Sequence, residues 1–272
     1  MPSQHTRGST HQDVWIEHPR GRLFARVWNP AERQGAPAGD SPIVLFHDSL
    51  GCVELWRSFP AALCASTGRR VLAYDRLGFG RSDPRHDMPG LDFIADEART
   101  YFPAIRRQVG FDRFIAFGHS VGGGMAVHCA AEFTGACEAL ITEAAQVFPE
   151  DRTLQGITLA REQFKAAGQV ERLERYHGKK ARWVLEAWTE SWLHPDFAAW
   201  SLEPVLPRVT CPALVIHGVH DEYGTTRHPE MIARLSGGPS RLEIMPGTHH
   251  VPHREHERVV VQLVEDFIAS IG

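Results

Sequence analysis

The sequence predicts an α/β protein: a mostly parallel central sheet flanked by helices, with a helical cap inserted late in the chain. Three observations carry this. Short apolar runs recur, namely Ile43–Phe46, Val71–Tyr74, Phe114–Phe117, Ala139–Ile141 and Ala213–Ile216. None of them alternates apolar with polar residues, as strands buried on both faces need not. Helix-spaced apolar patterns separate the runs, and residues 149–203 have helical composition with no strand run.

Taken in order, the first twelve residues are polar and read as a loose tail, without the apolar segment of a secretory signal. Val14 to Trp28 shows two-residue alternation and predicts an opening antiparallel hairpin that turns at Pro19-Arg20-Gly21. Residues 31–40, rich in Gly, Ala and Pro, are expected to loop before the first parallel strand. Ile94, Ala98, Tyr101, Ile105 and Val109 keep helical spacing and stop at Gly110. Pro103 lies inside that pattern, so a kink or two shorter helices is expected. Met125 to Glu132 also suits a helix.

The 149–203 cap holds Trp183, Trp188, Trp192 and Trp200. Trp188 and Trp192 are four apart and share a helix face. Such rings pack the cap onto the body or line an apolar pocket. Leu242 to Met245, interrupted by Glu243, reads as an edge-side strand, and Val260, Val264, Phe267, Ile268 and Ile271 mark one face of a closing helix. The resulting division is a tail (1–12), a core (13–148 and 204–272) and a cap (149–203).

Composition narrows the function. Hydrophobic residues at 43% and charged residues at 23% match an ordinary soluble domain rather than a disordered chain. A net charge of -4 offers no basic face for nucleic acid. No stretch approaches the ~18 apolar residues of a membrane span. The five cysteines are odd in number and form no C-x-x-C pair, which fits reduced thiols and a cytoplasmic setting. No cofactor is expected, and oligomeric state is not legible.

The chemistry centres on Gly118-His119-Ser120-Val121-Gly122, between a strand run and a helix pattern. A sharp strand-to-helix turn holds a nucleophile proud of the sheet, and close neighbouring chains demand small residues two before and two after it. A serine hydroxyl needs a base, and histidine suits that task. Two adjacent candidates, His249 and His250, follow the last strand. The spacing from Gly247, with Glu255 five residues beyond, selects His250, with His249 as rival; His253 and His256 are expected to face solvent. The base needs an acid to fix its tautomer. Asp221, just past the Ala213–Ile216 run, is the choice; Glu222 reads as its surface neighbour. Glu143 is a second candidate whose more natural role is structural pairing.

The transition state needs donors for its oxyanion. These are expected from the backbone amides of Val121 and Ser49. Trp188, Trp192 and His119 are the expected substrate contacts, and no metal is expected.

Together these residues resemble the α/β-hydrolase superfamily. The resemblance runs from about Val14 to Ile271 and includes Asp75-Arg76-Leu77-Gly78-Phe79-Gly80-Arg81-Ser82, similar to the family's D-x-x-G-x-G-x-S loop. It implies that Ser120, Asp221 and His250 form the triad and that Val121 and Ser49 form the oxyanion hole. One departure is His47-Asp48 where the family usually has His-Gly. Asp48 could narrow the pocket, add charge or turn its side chain away.

A small-molecule carboxylic ester is the expected substrate, cleaved through an acyl-enzyme on Ser120. A thioesterase, lactonase or C–C bond hydrolase would use the same residues. A metallohydrolase on His217, His220, Asp221, His249, His250 and His253 matches no ligand spacing, and a ligand receptor would need no triad.

Overall fold

The computed structural model describes residues 10–31 and 41–271. Most of the expected tail and of the 31–40 loop lies outside them. Strand β1 (Thr10–Ile16) pairs antiparallel with β2 (Leu23–Asn29) in the expected hairpin. Thr10 to Gln12 therefore belong to a strand rather than to the tail; their polar side chains suit a strand at the exposed rim of the sheet.

The chain continues through β3 (Ile43–Phe46), α1 (Phe59–Thr67), β4 (Val71–Tyr74), α2 (Phe93–Asp96), α3 (Phe102–Val109), β5 (Phe114–His119) and α4 (Val121–Glu132). Then come β6 (Cys137–Glu143), the helices α5 (Asp151–Gln163), α6 (Gln169–His177) and α7 (Ala181–Trp192), and β7 (Ala213–Gly218). It closes with α8 (Arg227–Leu235), β8 (Ser240–Met245), α9 (Pro252–Glu255) and α10 (Glu257–Ile271). The sheet order is β1-β2-β4-β3-β5-β6-β7-β8, with β2 antiparallel to both neighbours and β3 to β8 mutually parallel. The Leu242–Met245 run does lie on the edge strand.

Both faces of the sheet are covered, which explains the unbroken apolar runs. Val44 and Phe46 join a core with α2, α3, α4 and α8, whereas Ile43 and Leu45 point the other way, into a core with α1 and α10. Pro103 resolves its conflict by widening the helix. Its ring crowds the carbonyl four residues back, and Glu97–Tyr101 form a π-helical turn that joins α2 to α3. Gly110 ends α3 in the left-handed region at φ 75°.

Because β3 to β8 are parallel, the loops that leave their C-terminal ends meet along one edge. The helices α5 to α7, between β6 and β7, send Trp188 and Trp192 toward that edge.

Candidate active site

Ser120 caps the N-terminus of α4 at φ 55° and ψ -125°. This is a strained backbone for a residue with a Cβ, and it is held from both sides. The Ser120 amide donates to the Glu143 carbonyl at 2.8 Å, and the Gly123 amide donates to the Ser120 carbonyl at 2.8 Å. The flanking glycines are required by contact. A Cβ on Gly118 would lie 2.1 Å from the Gly122 carbonyl oxygen, and one on Gly122 would lie 2.1 Å from that of Phe46.

His250 reaches this serine from the loop after β8. Its Nε2 lies 3.1 Å from Ser120 Oγ, and its Nδ1 lies 2.9 Å from each oxygen of Asp221. Asp221 is fully buried and also accepts from the Tyr223 amide at 2.7 Å. Burial alone would raise its pKa, but His250, His217 and that amide outweigh it and hold the carboxyl below its ordinary range. His249 turns outward: its side chain is 59% exposed and pairs with Glu255 at 3.2 Å. Glu222 is exposed. The structure thus gathers Ser120, His250 and Asp221 and leaves both neighbouring rivals outside.

A cavity of about 160 Å³ opens over Ser120 and His250. Trp188, Trp192, Ile157 and Leu50 give it an apolar side, while Asp48, Gln146, Thr153 and Tyr223 give it a polar one. The expected pocket is therefore mixed rather than wholly apolar. The other two insertion tryptophans pack instead: Trp200 stacks on Phe197 at 5.3 Å, and Trp183 covers Gly78 and Phe79.

Ser49 and Val121 border one narrow cleft adjoining the cavity. Val121 is the first residue of α4, so its amide has no acceptor within the helix. The Ser49 amide belongs to a peptide whose carbonyl, that of Asp48, is fixed by three groups: Arg76 Nη2 and His47 Nδ1, each at 2.8 Å, and the Gly51 amide at 3.2 Å. His47 Nε2 accepts in turn from the Arg76 amide at 3.1 Å. A trans peptide points its C=O and N–H in opposite directions, so the clamp also sets the direction of the Ser49 N–H.

Asp48 shapes the same loop through its side chain. Its Oδ1 accepts from the Leu50 amide at 2.8 Å, and its Oδ2 faces His119 Nδ1 at 3.4 Å. It is not among the positive-φ residues, so the position does not demand glycine. Burial would raise its pKa, but His119, His47 and the Leu50 amide hold its carboxyl well below the usual range.

Two expectations need correction. His119, expected to touch substrate, is 1% exposed and does not border the cavity. It lies behind it, because alternate residues of β5 face opposite sides of the sheet and Ser120 takes the position above. Its Nε2 bonds the His250 carbonyl at 2.8 Å, so it braces the loop that carries His250. His253, expected in solvent, is 3% exposed, and its Nδ1 and amide donate to Glu143 at 2.5 and 2.6 Å. Glu143 is thus a structural partner, as its position beside His119 on β6 allows.

Burial disfavours charge on His119, but Asp48, Glu143 and the His250 carbonyl outweigh it and raise its pKa to about 9. Because the folded value exceeds the ordinary imidazole value of 6.5, its stabilisation is complete below about 6.5 and lost as pH rises through about 9. The urea midpoint is expected to fall across that window, and the fall should shrink in His119→Asn. An equal fall in the variant would remove His119 as its cause.

Residues 41–198 match the family model for the alpha/beta hydrolase fold. The chain belongs to the α/β-hydrolase family. It is 29% identical to the human serine hydrolase BPHL over 206 residues, covering 73% of this chain and 69% of that protein. It is 23% identical to proline iminopeptidase of Saccharolobus solfataricus over 251 residues, covering 78% and 80%. The crystal structure of Mycobacterium smegmatis proline iminopeptidase superposes with a TM-score of 0.72 at 21% identity, over 96% of this chain and 98% of that one.

Within this α/β-hydrolase, His119, Glu143 and His253 are the group among the described residues close enough to hold an ion, with ligating atoms within 4.8 Å of one another. Glu143 already accepts both His253 donors, and the hydrogen bonds account for the cluster. No helix among the described residues is long and apolar enough to cross a membrane.

Sequence reasoning missed the Arg76–His47 clamp and Gln146. Arg76 sits inside the D-x-x-G-x-G-x-S match, but its contact with Asp48 joins loops 28 residues apart. Gln146 lies in no motif.

Proposed function

We propose that this α/β-hydrolase cleaves a small carboxylic ester through an acyl-enzyme on Ser120. The observation that carries the reading is the unbroken line from Asp221 through His250 to Ser120 Oγ, at 2.9 and 3.1 Å. As Ser120 Oγ bonds the ester carbonyl carbon, His250 Nε2 takes its proton, and Asp221 stabilises the imidazolium through Nδ1. The carbonyl oxygen becomes an oxyanion, which accepts from the Val121 and Ser49 amides. Collapse expels the alkoxide, which takes the proton back from His250. Water then attacks the acyl-enzyme with its proton passing to His250, and the acid leaves as Ser120 regains its hydrogen.

The cavity supports a substrate of modest size, with Trp188 and Trp192 against its apolar portion. The five buried free thiols support a reducing setting. The names of similar proteins, a serine hydrolase and an iminopeptidase, agree with acyl transfer to serine.

A fluorophosphonate should label Ser120 stoichiometrically, as read by peptide mass. A panel of p-nitrophenyl esters, acyl-CoA thioesters, lactones and vinylogous ketones should be turned over fastest as short esters. Labelling with faster cleavage of another class would move the substrate assignment; no labelling at all would remove the nucleophile.

A further inference from the structure

Gln146 is 3% exposed, borders the same cavity as Ser120 and His250, and has no hydrogen-bond partner for its side-chain oxygen. Its side-chain nitrogen likewise bonds no group among the described residues. A buried amide normally finds a partner, because leaving one unmade forfeits its water without replacement. Nothing around Gln146 fixes which end of the amide faces the cavity, so it can present either a donor or an acceptor. The Tyr223 hydroxyl, on a ring 4.8 Å from that of His250, also bonds no described group, and Tyr223 borders the same cavity. By contrast, Thr153 on that wall is already engaged, donating to the Tyr223 carbonyl at 2.6 Å.

We infer that Gln146, with Tyr223, forms a polar subsite that selects acyl groups bearing a neutral hydroxyl or carbonyl over plain hydrocarbon chains. The inference rests on the ester-hydrolase reading and adds the substrate class. A hydroxyl suits the site because it both donates and accepts, matching an amide free to do either. A hydrocarbon chain would seal both groups from water and leave them unpaired, which is how a site built around hydrogen bonds rejects an apolar analogue.

The test compares p-nitrophenyl β-hydroxybutyrate with p-nitrophenyl butyrate in the wild type, Gln146→Met and Tyr223→Phe. The leaving group is common to both esters, so the ratio of kcat/KM isolates acyl recognition. The wild type is expected to favour the hydroxylated ester by about tenfold or more, the discrimination of one well-made neutral hydrogen bond. Gln146→Met should bring the ratio near one, by losing the hydroxylated ester and gaining the plain one; Tyr223→Phe should lower it partway. A structural role alone would slow both esters equally and leave the ratio unchanged. A wild-type ratio at or below one overturns the subsite without recourse to any variant, while leaving the hydrolase reading intact. Fluorophosphonate labelling of Ser120 reports on that reading separately.

Discussion

Ser120→Ala is expected to lower kcat toward short esters by about 10⁵- to 10⁶-fold while the far-ultraviolet spectrum and thermal midpoint stay near those of the wild type. The loss is large because nucleophile and base act as one unit. Without Oγ, His250 has no proton to take, and what remains is binding and the oxyanion donors acting on a water molecule. The fold should survive because Ser120 is held through its backbone. The bonds to the Glu143 carbonyl and from the Gly123 amide need no side chain. Alanine must adopt the same φ of 55° and carries the same Cβ, so the strain is unchanged. Residual turnover within tenfold of the wild type would exclude an acyl-enzyme on this residue.

His250→Ala should cost about 10⁵-fold or more in kcat, whereas His249→Ala should change it by about twofold at most. The contrast follows from the loop geometry. One imidazole sits between Ser120 and Asp221, while its neighbour lies in solvent against Glu255. The His249 pair is a surface interaction whose removal shifts stability by less than about 1 kcal/mol. The readout is single-turnover acylation by stopped flow, which isolates the step that needs the base. Comparable losses in both variants, or the larger loss in His249→Ala, would reassign the base.

Much of this molecule can be read from local pattern. The apolar runs at residues 43–46, 71–74, 114–117, 139–141 and 213–216 form strands because each must be covered on both faces, a requirement written along a single segment. The glycine at 118 is equally local, since its crowding comes from Gly122 and Gly123 in the same turn, whereas Gly122 is pressed by Phe46 of β3 and its need follows from the close approach of that strand. Residue types, chain order and the spacing around Gly247 pointed to Ser120, Asp221 and His250, and these side chains meet.

Tertiary structure decided what depends on contacts between distant segments. His119 and His253 looked available in the sequence, yet packing of β5, β6 and the loop after β8 buries both, and Glu143 becomes the partner of His253. Asp48 stood out as a departure that could narrow the pocket, add charge or turn away; its contacts with Leu50 and His119 make it a brace. Gln146 belongs to no pattern, and only the closing of α5 and α7 over the sheet isolates it beside the serine. Periodicity reports which face of a segment meets the interior, but a buried polar group is satisfied or orphaned by partners that the folded chain brings from elsewhere.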